Sequence, residues 1–218
     1  ICVCGINSLG EIYQHLRQNA AIGSIKKIDT SSDTAINTGQ GDFSDISGQS
    51  GMKRAAEIAV AGRHNLLMVG PPGSGKSMIA KRIPTIFPAL TREESLRITK
   101  VYSVAGMIKS EQPLVMERPF REVNQTVTKA ALLGGGAWPK PGELTLASGG
   151  VLFLDELAEF KRSVLEVLRQ PLEEREVRIV RNYGVITYPA DVMLVAAMNP
   201  CPCGYFYDLN KCTCTISQ

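Results

Sequence analysis

Gly70-Pro-Pro-Gly-Ser-Gly-Lys76-Ser77 decides how this chain is read. These eight residues match G-x-x-x-x-G-K-[ST] in full and follow the apolar run Leu66 to Val69, which predicts a phosphate-binding loop at the end of a strand. Gly70, Gly73 and Gly75 let successive backbone N–H groups turn inward around the phosphates of a nucleotide, with Pro71, Pro72 and Ser74 completing the loop. Lys76 brings a mobile positive charge to the transferring phosphate, and the Ser77 hydroxyl is a magnesium ligand. The segment from Met78 to Ile83 reads as the helix whose first turn faces those phosphates. Gly-Pro-rich turns are common; a complete match set between a strand and a helix is not.

Downstream, Val151-Leu-Phe-Leu154 is a run of four apolar residues, the pattern of a buried parallel strand, and it ends in Asp155 and Glu156. At the carboxyl end of such a strand Asp155 would hold magnesium and Glu156 would polarise an attacking water. Two acids after a strand also serve as a helix N-cap and its neighbour. A third apolar run, Val192 to Ala197, leads to Met198-Asn199-Pro200, which places an amide where it can orient the water or sense the terminal phosphate, or which is a plain Asn-Pro turn. The order of loop, acid pair and polar strand end favours a nucleotide site with ATP and Mg2+ as its ligands.

The rest of the sequence sets limits. The 218 residues suffice for one sizeable core, and 24 basic against 21 acidic residues give a net charge of +3, too small a surplus to argue for nucleic acid by itself. No apolar stretch has the length of a membrane span and no secretory leader is visible, so a cytoplasmic protein with no membrane partner is expected. No Ser, His and Asp constellation for nucleophilic catalysis stands out. The chain opens at Ile1 and stops four residues after Cys214, and both ends read as cut from something longer.

Organisation changes near residue 42. Before it, Ile1 to Ile6 is strand-like, a short amphipathic helix runs from Ser8 to about Asn19, and Asp29 to Gly41 is a Ser/Thr/Gly/Asp-rich linker. After it, helices are expected over Gly51 to Ala61, after the phosphate loop and from about Thr91. Ser163-Val-Leu-Glu166 fits a capping box opening the helix that carries Leu165, Leu168 and Leu172. Strands separated by helices predict an α/β fold with a parallel sheet covered on both faces. The 79 residues from Lys76 to Asp155 leave room for an insert around Gly134-Gly-Gly136 and Trp138, which either anchors the insert or stacks on a base. Glu176 to Val180 and Val185 to Tyr188, around Arg181-Asn-Tyr-Gly184, read as a β-hairpin. Its Arg175, Arg178 and Arg181 either meet a phosphate backbone or form a solvated face.

Cys201-Pro-Cys203 and Cys212-Thr-Cys214 flank eight residues. The paired spacing suits a single Zn2+, though C-x-C is less common than C-x-x-C, and reduced thiols or a disulfide are the other readings. Cys2 and Cys4 read as small core residues, His15 as solvated, and His64 either as hydrogen-bonded and structural or as a neighbour of the nucleotide base.

Taken together, these blocks resemble the magnesium-chelatase-like AAA+ ATPase family. The carriers are Asp42-Phe-Ser-Asp-Ile-Ser-Gly-Gln49, His64-Asn-Leu-Leu67, Gly70 to Ser77, Arg118-Pro-Phe-Arg121, Gly134-Gly-Gly136, Pro141-Gly-Glu143, Val151 to Phe160, Leu168-Arg-Gln-Pro-Leu-Glu173 and Met198-Asn-Pro-Cys-Pro-Cys-Gly204. The resemblance implies a P-loop NTPase sheet with an insert in the second helix and a hairpin before the sensor strand. It places Lys76 and Ser77 in the Walker A role, Asp155 and Glu156 in Walker B and Asn199 at sensor 1. It also implies a ring homo-oligomer, a hexamer, and DNA as a partner, through competence-related branch migration. Residues 1–41 would be the remnant of an N-terminal Lon-protease-like domain plus linker, and residues 42–218 the AAA+ core without its C-terminal lid. With arginine finger and lid arginine placed past Gln218, this stretch alone would bind nucleotide and turn it over weakly. A nucleotide-gated interaction module with a zinc knuckle, or a chelatase-type motor subunit, are the alternative functions. Departures from the family pattern at Glu122-Val-Asn-Gln-Thr126 and Ser148 bear on substrate handling rather than ATP.

Overall fold

The computed structural model describes residues 8–18, 41–108, 113–136, 139–181, 184–206 and 210–215. The chain separates into two compact units, residues 1–38 and 39–218. In the first, α1 spans Leu9–Gln18, with the Ser8 hydroxyl accepting from the Glu11 N–H at 3.3 Å. The proposed strand with Cys2 and Cys4, and nearly all of the linker, lie outside the described residues.

In the second unit, α2 (Ser50–Gly62) leads to β1 (Leu66–Val69), the phosphate loop and α3 (Lys76–Arg82). Then come α4 (Arg92–Val104), β2 (Phe120–Val123), α5 (Lys129–Leu133), β3 (Gly134–Gly135), β4 (Lys140–Pro141) and α6 (Glu143–Leu146). The chain continues through β5 (Val151–Leu154), α7 (Arg162–Leu165), α8 (Arg169–Glu174), β6 (Glu176–Arg181), β7 (Gly184–Pro189) and β8 (Met193–Met198). Among the described residues the main sheet has four strands in the order β1-β8-β5-β2, every pair parallel. Parallel neighbours need crossovers, and the order places the strand that feeds the phosphate loop directly beside the one that ends at Asn199.

Both sheet faces are covered, which is why β5 reads as an unbroken apolar run rather than an alternation. Val151 and Phe153 face a cluster with Ala56, Val60, Ile79 and Ile83 from the side of α2 and α3. Leu152 and Leu154 face the opposite cluster, with Leu132, Leu144, Val164 and Leu168. All four β5 side chains are at most 1 % exposed; burial of each contributes about 2 kcal/mol. Met68 of β1 is buried, while Leu67 and Val69 on its other face are half exposed.

The expected insert is present: between β2 and β5 the crossover helix is divided into α5 and α6 by the small antiparallel ladder of β3 and β4. Trp138 lies outside the described residues. The hairpin is also present, β6 pairing with β7 from Glu176↔Pro189 to Arg181↔Gly184. At α4, Thr91 is an N-cap with a full capping box to Glu94. The capping box expected at Ser163 is not formed. Lys161 is the N-cap of α7, without a side-chain bond, Ser163 is already inside the helix, and Glu166 is taken by Arg162 at 2.8 Å. That helical stretch also breaks into α7, a 3₁₀ turn over Glu166–Leu168 and α8, while Leu168 still enters the core.

Candidate functional site

The carboxyl ends of β1, β5 and β8 lie side by side and deliver three polar groups to one place. β1 runs into Gly70, whose N–H donates to the carbonyl of Met198 at 3.3 Å, so the ladder with β8 holds the root of the loop. Gly73 and Gly75 take φ +76° and +84°, the left-handed region where a side chain is strained. The loop then enters α3 at Lys76.

Lys76 is only 8 % exposed. Its Nζ donates to the carbonyls of Gly70 (2.8 Å) and Pro71 (3.0 Å), to Ser74 Oγ (3.4 Å) and to Asn199 Oδ1 (3.4 Å). Among the described residues no carboxylate lies within ion-pair distance of it. Burial pushes its pKa below the ordinary lysine value, with Asp155 opposing the shift through its charge. This ammonium is thus desolvated and held by neutral oxygens, ready to exchange them for an anion. Ser77 Oγ donates to Asp155 Oδ2 at 2.8 Å, and the other Asp155 oxygen accepts the Glu156 N–H at 2.9 Å. Glu156 has φ +53° and an exposed side chain, so the residue after Asp155 turns sharply outward from the strand.

The loop from Gly70 to Ser77, Asp155 and Asn199 are therefore gathered by direct bonds, and Glu156 follows Asp155 with its side chain exposed. The hydroxyl and carboxylate of Ser77 and Asp155 are oxygen donors of the kind Mg2+ prefers. One residue was not foreseen as part of the site. Gln49 Nε2 donates to the Ser74 carbonyl at 3.2 Å, from a turn in which Gly48 and Gln49 both have positive φ.

Cys201, Cys203, Cys212 and Cys214 also converge, with all four sulfurs within 4.8 Å of one another. Individual Sγ separations are 3.3 Å (Cys201 and Cys203), 3.6 Å (Cys203 and Cys212) and 4.0 Å (Cys201 and Cys212). A tetrahedral Zn–S distance of about 2.3 Å requires sulfurs about 3.8 Å apart, so the cluster fits the ion. The Tyr205 N–H and the Cys201 thiol pull the Cys203 pKa down to about 6, while the bond to Cys203 pushes Cys214 up to about 11 and burial pushes Cys212 up, so the thiols titrate as one set.

Other residues that the sequence singles out have partners within the fold. Arg121 forms a two-pronged ion pair with Glu143 at 2.6 and 2.9 Å, tying β2 to α6. Arg118, its side chain 6 % exposed, bonds Glu94 and the carbonyls of Pro88 and Gly149. Glu122 pairs with Lys81 at 3.0 Å, and Ser148 Oγ accepts the Asp191 N–H at 3.2 Å. Of the hairpin arginines, Arg175 reaches Asp191 at 3.5 Å and Arg178 reaches Glu176 at 3.7 Å, while the Arg181 side chain lies outside the described residues. Among the described residues no helix is long and apolar enough to cross a membrane.

Residues 42–218 match the family described as magnesium chelatase, subunit ChlI. The chain is 43 % identical over 219 residues to an uncharacterized protein of Mycobacterium tuberculosis, covering 100 % of this chain and 42 % of that one. It is 48 % identical over 167 residues to competence protein ComM of Haemophilus influenzae, covering 76 % of this chain and 32 % of ComM. The chain thus spans less than half the length of these relatives. In fold it is similar to a structure of the complex between subunits BchI and BchD of magnesium chelatase, with a TM-score of 0.58 at 22 % identity, over 72 % of this chain and 54 % of that one.

Proposed function

This chain belongs to the magnesium chelatase ChlI-subunit family, and on that premise we propose that it is the core of a cytoplasmic AAA+ motor that binds and hydrolyses ATP. The observation that carries this reading is the pairing of Ser77 with Asp155 at 2.8 Å beside a buried Lys76 that only neutral oxygens hold. In this reading the backbone N–H groups of Gly70 to Ser77 receive the phosphates and Lys76 exchanges its carbonyl partners for phosphate oxygens. Ser77 and Asp155 hold Mg2+, which neutralises charge on the phosphates when bound. Glu156 takes the proton of the attacking water, and Asn199, already in reach of Lys76, orients that water or the terminal phosphate. The same reading places Zn2+ at Cys201, Cys203, Cys212 and Cys214.

Residues 42–218 form the motor core in this account, residues 1–41 being the tail of a preceding domain and its tether. The motor assembles as a ring, a hexamer, and acts on DNA. The relationship to ComM, a competence protein, supports a role in handling incoming DNA. Tests use the full-length protein: ATP hydrolysis should require Lys76 and Glu156 and should rise when branched or single-stranded DNA is added. Hydrolysis indifferent to DNA would remove the DNA part; none with any partner would remove the motor.

A further inference from the structure

The cysteine cluster is built onto the nucleotide site. Only Pro200 separates Asn199 from Cys201, so one arm of the cluster begins where the candidate sensor ends. The turn from Cys201 to Gly204 is closed by the Gly204 N–H donating to the Cys201 carbonyl at 2.9 Å. Gly204 is buried at φ +83°, and a Cβ there would lie 2.5 Å from Pro72 Cδ. Glycine is required both by that φ and by that contact. The turn bearing Cys201 and Cys203 therefore presses on the phosphate loop at Pro72 and is continuous with Asn199, whose amide oxygen accepts from Lys76.

Four sulfurs this close repel one another as thiolates and gain little as thiols, whereas a thiolate-preferring divalent ion satisfies all of them. The second arm, Cys212 and Cys214, comes from beyond the turn and already meets the first where Lys211 Nζ lies 5.7 Å from the Tyr205 ring centre, so an ion would fasten the two arms at a second point.

We propose that zinc held by Cys201, Cys203, Cys212 and Cys214 is a clamp on the phosphate loop and on Asn199, so that metal occupancy and nucleotide affinity are coupled. The proposal rests on the nucleotide reading above. With the ion in place the turn is fixed and Gly204 holds Pro72; without it the turn loosens, and the loop loses one wall while Asn199 loses its anchor. Coupling of this kind is reciprocal: if zinc tightens nucleotide binding, bound nucleotide retains zinc by the same factor.

The test uses full-length protein. Elemental analysis should find about one zinc per chain. Removing it with a chelator should weaken MgATP binding on the order of tenfold, restored by adding zinc back. Gly204→Ala, which keeps all four ligands but pushes the turn off Pro72, should weaken MgATP binding in the same direction with zinc content unchanged. Should chelation unfold the protein, capture of released zinc by a chromogenic chelator with and without MgADP gives the same answer, slower release with nucleotide being the result expected. Zinc present but equal release rates and unchanged affinities would overturn the clamp and leave the metal site standing. Folded protein without zinc, and without a cobalt–thiolate spectrum when cobalt is offered, would overturn both. Zinc-loaded protein that binds no MgATP would overturn the coupling together with the nucleotide reading, and leave the metal site intact.

Discussion

At the amino ends of the parallel strands, Arg118, Glu94, Arg63, Asp191 and Arg175 form a chain of ion pairs between 3.2 and 3.5 Å long; at the carboxyl ends, Lys76 rests on neutral carbonyls. Both ends bring distant residues together: Arg63 and Asp191 lie 128 positions apart, Lys76 and Asn199 lie 123. The difference lies in how charge is answered. At the amino end each charged group meets an opposite one, and the arrangement is complete without a ligand. At the carboxyl end a desolvated cation stands among oxygens that an anion can replace, while a carboxylate and a hydroxyl offer oxygens to a metal. The first pattern holds strands in place, the second is suited to binding, and substitutions should separate stability from function accordingly.

The largest separation is expected at Glu156. Glu156→Gln in the full-length protein should lower ATP hydrolysis by about 10²–10⁴-fold, the usual contribution of a general base, with MgATP affinity and melting temperature close to wild type. Hydrolysis at the wild-type rate would move the catalytic base elsewhere. At the other end, Glu94→Ala strands the buried Arg118 and removes the capping box of α4, and should cost about 2–4 kcal/mol in chemical denaturation. The folded fraction should still bind MgATP normally; a matching loss of affinity would mean that the two ends are not separable. Gln49→Ala removes one hydrogen bond to the loop carbonyl of Ser74 and should weaken MgATP binding by about 1 kcal/mol, roughly fivefold. A null result there would assign Gln49 to packing alone.

The smallest effects are the slopes of stability against pH, and they carry opposite origins. Hydrogen bonding from the Thr91 N–H holds the Glu94 pKa down, so its stabilisation is present above the unfolded carboxylate value and is lost as pH falls through the folded one. Lys76 has a depressed pKa, so the cost of burying its charge is relieved as pH rises from the folded value towards the unfolded one, adding to ligand-free stability. Nucleotide affinity should move the other way in that alkaline window, because the neutral amine no longer attracts phosphate. Lys76→Met should abolish both trends in paired denaturation and binding measurements while leaving the acid limb in place.

The carboxyl end was largely legible in the sequence because its signals are local: a loop of eight residues, an apolar run ending in Asp155, another ending at Asn199. The fold followed, since alternating strands and helices with unbroken apolar runs require a parallel sheet with both faces covered. The amino end was not legible. Arg118 and Arg121 could be quoted as residues of a family pattern, yet nothing local says that one bonds Glu94 and the other Glu143, because ion pairs across a fold leave no periodicity. Ser163 misled for a related reason: a four-residue capping pattern fits at many offsets, and Lys161 rather than Ser163 meets the chain where it leaves Phe160. The spacing of the four cysteines left one zinc, reduced thiols or a disulfide open, and the structure brings the sulfurs together; the contact of Gly204 with Pro72 has no sequence signal at all.

The most direct test of the contrast between the two ends is calorimetric titration of MgATP into the full-length protein, wild type against Lys76→Ala. Wild type should bind, the variant should bind about 100-fold more weakly or not at all, and the ligand-free variant should melt no lower than wild type, because Lys76 is held ready for a ligand and not for the fold. Equal affinities for both proteins, or an intact affinity with a large loss of stability in the variant, would contradict it.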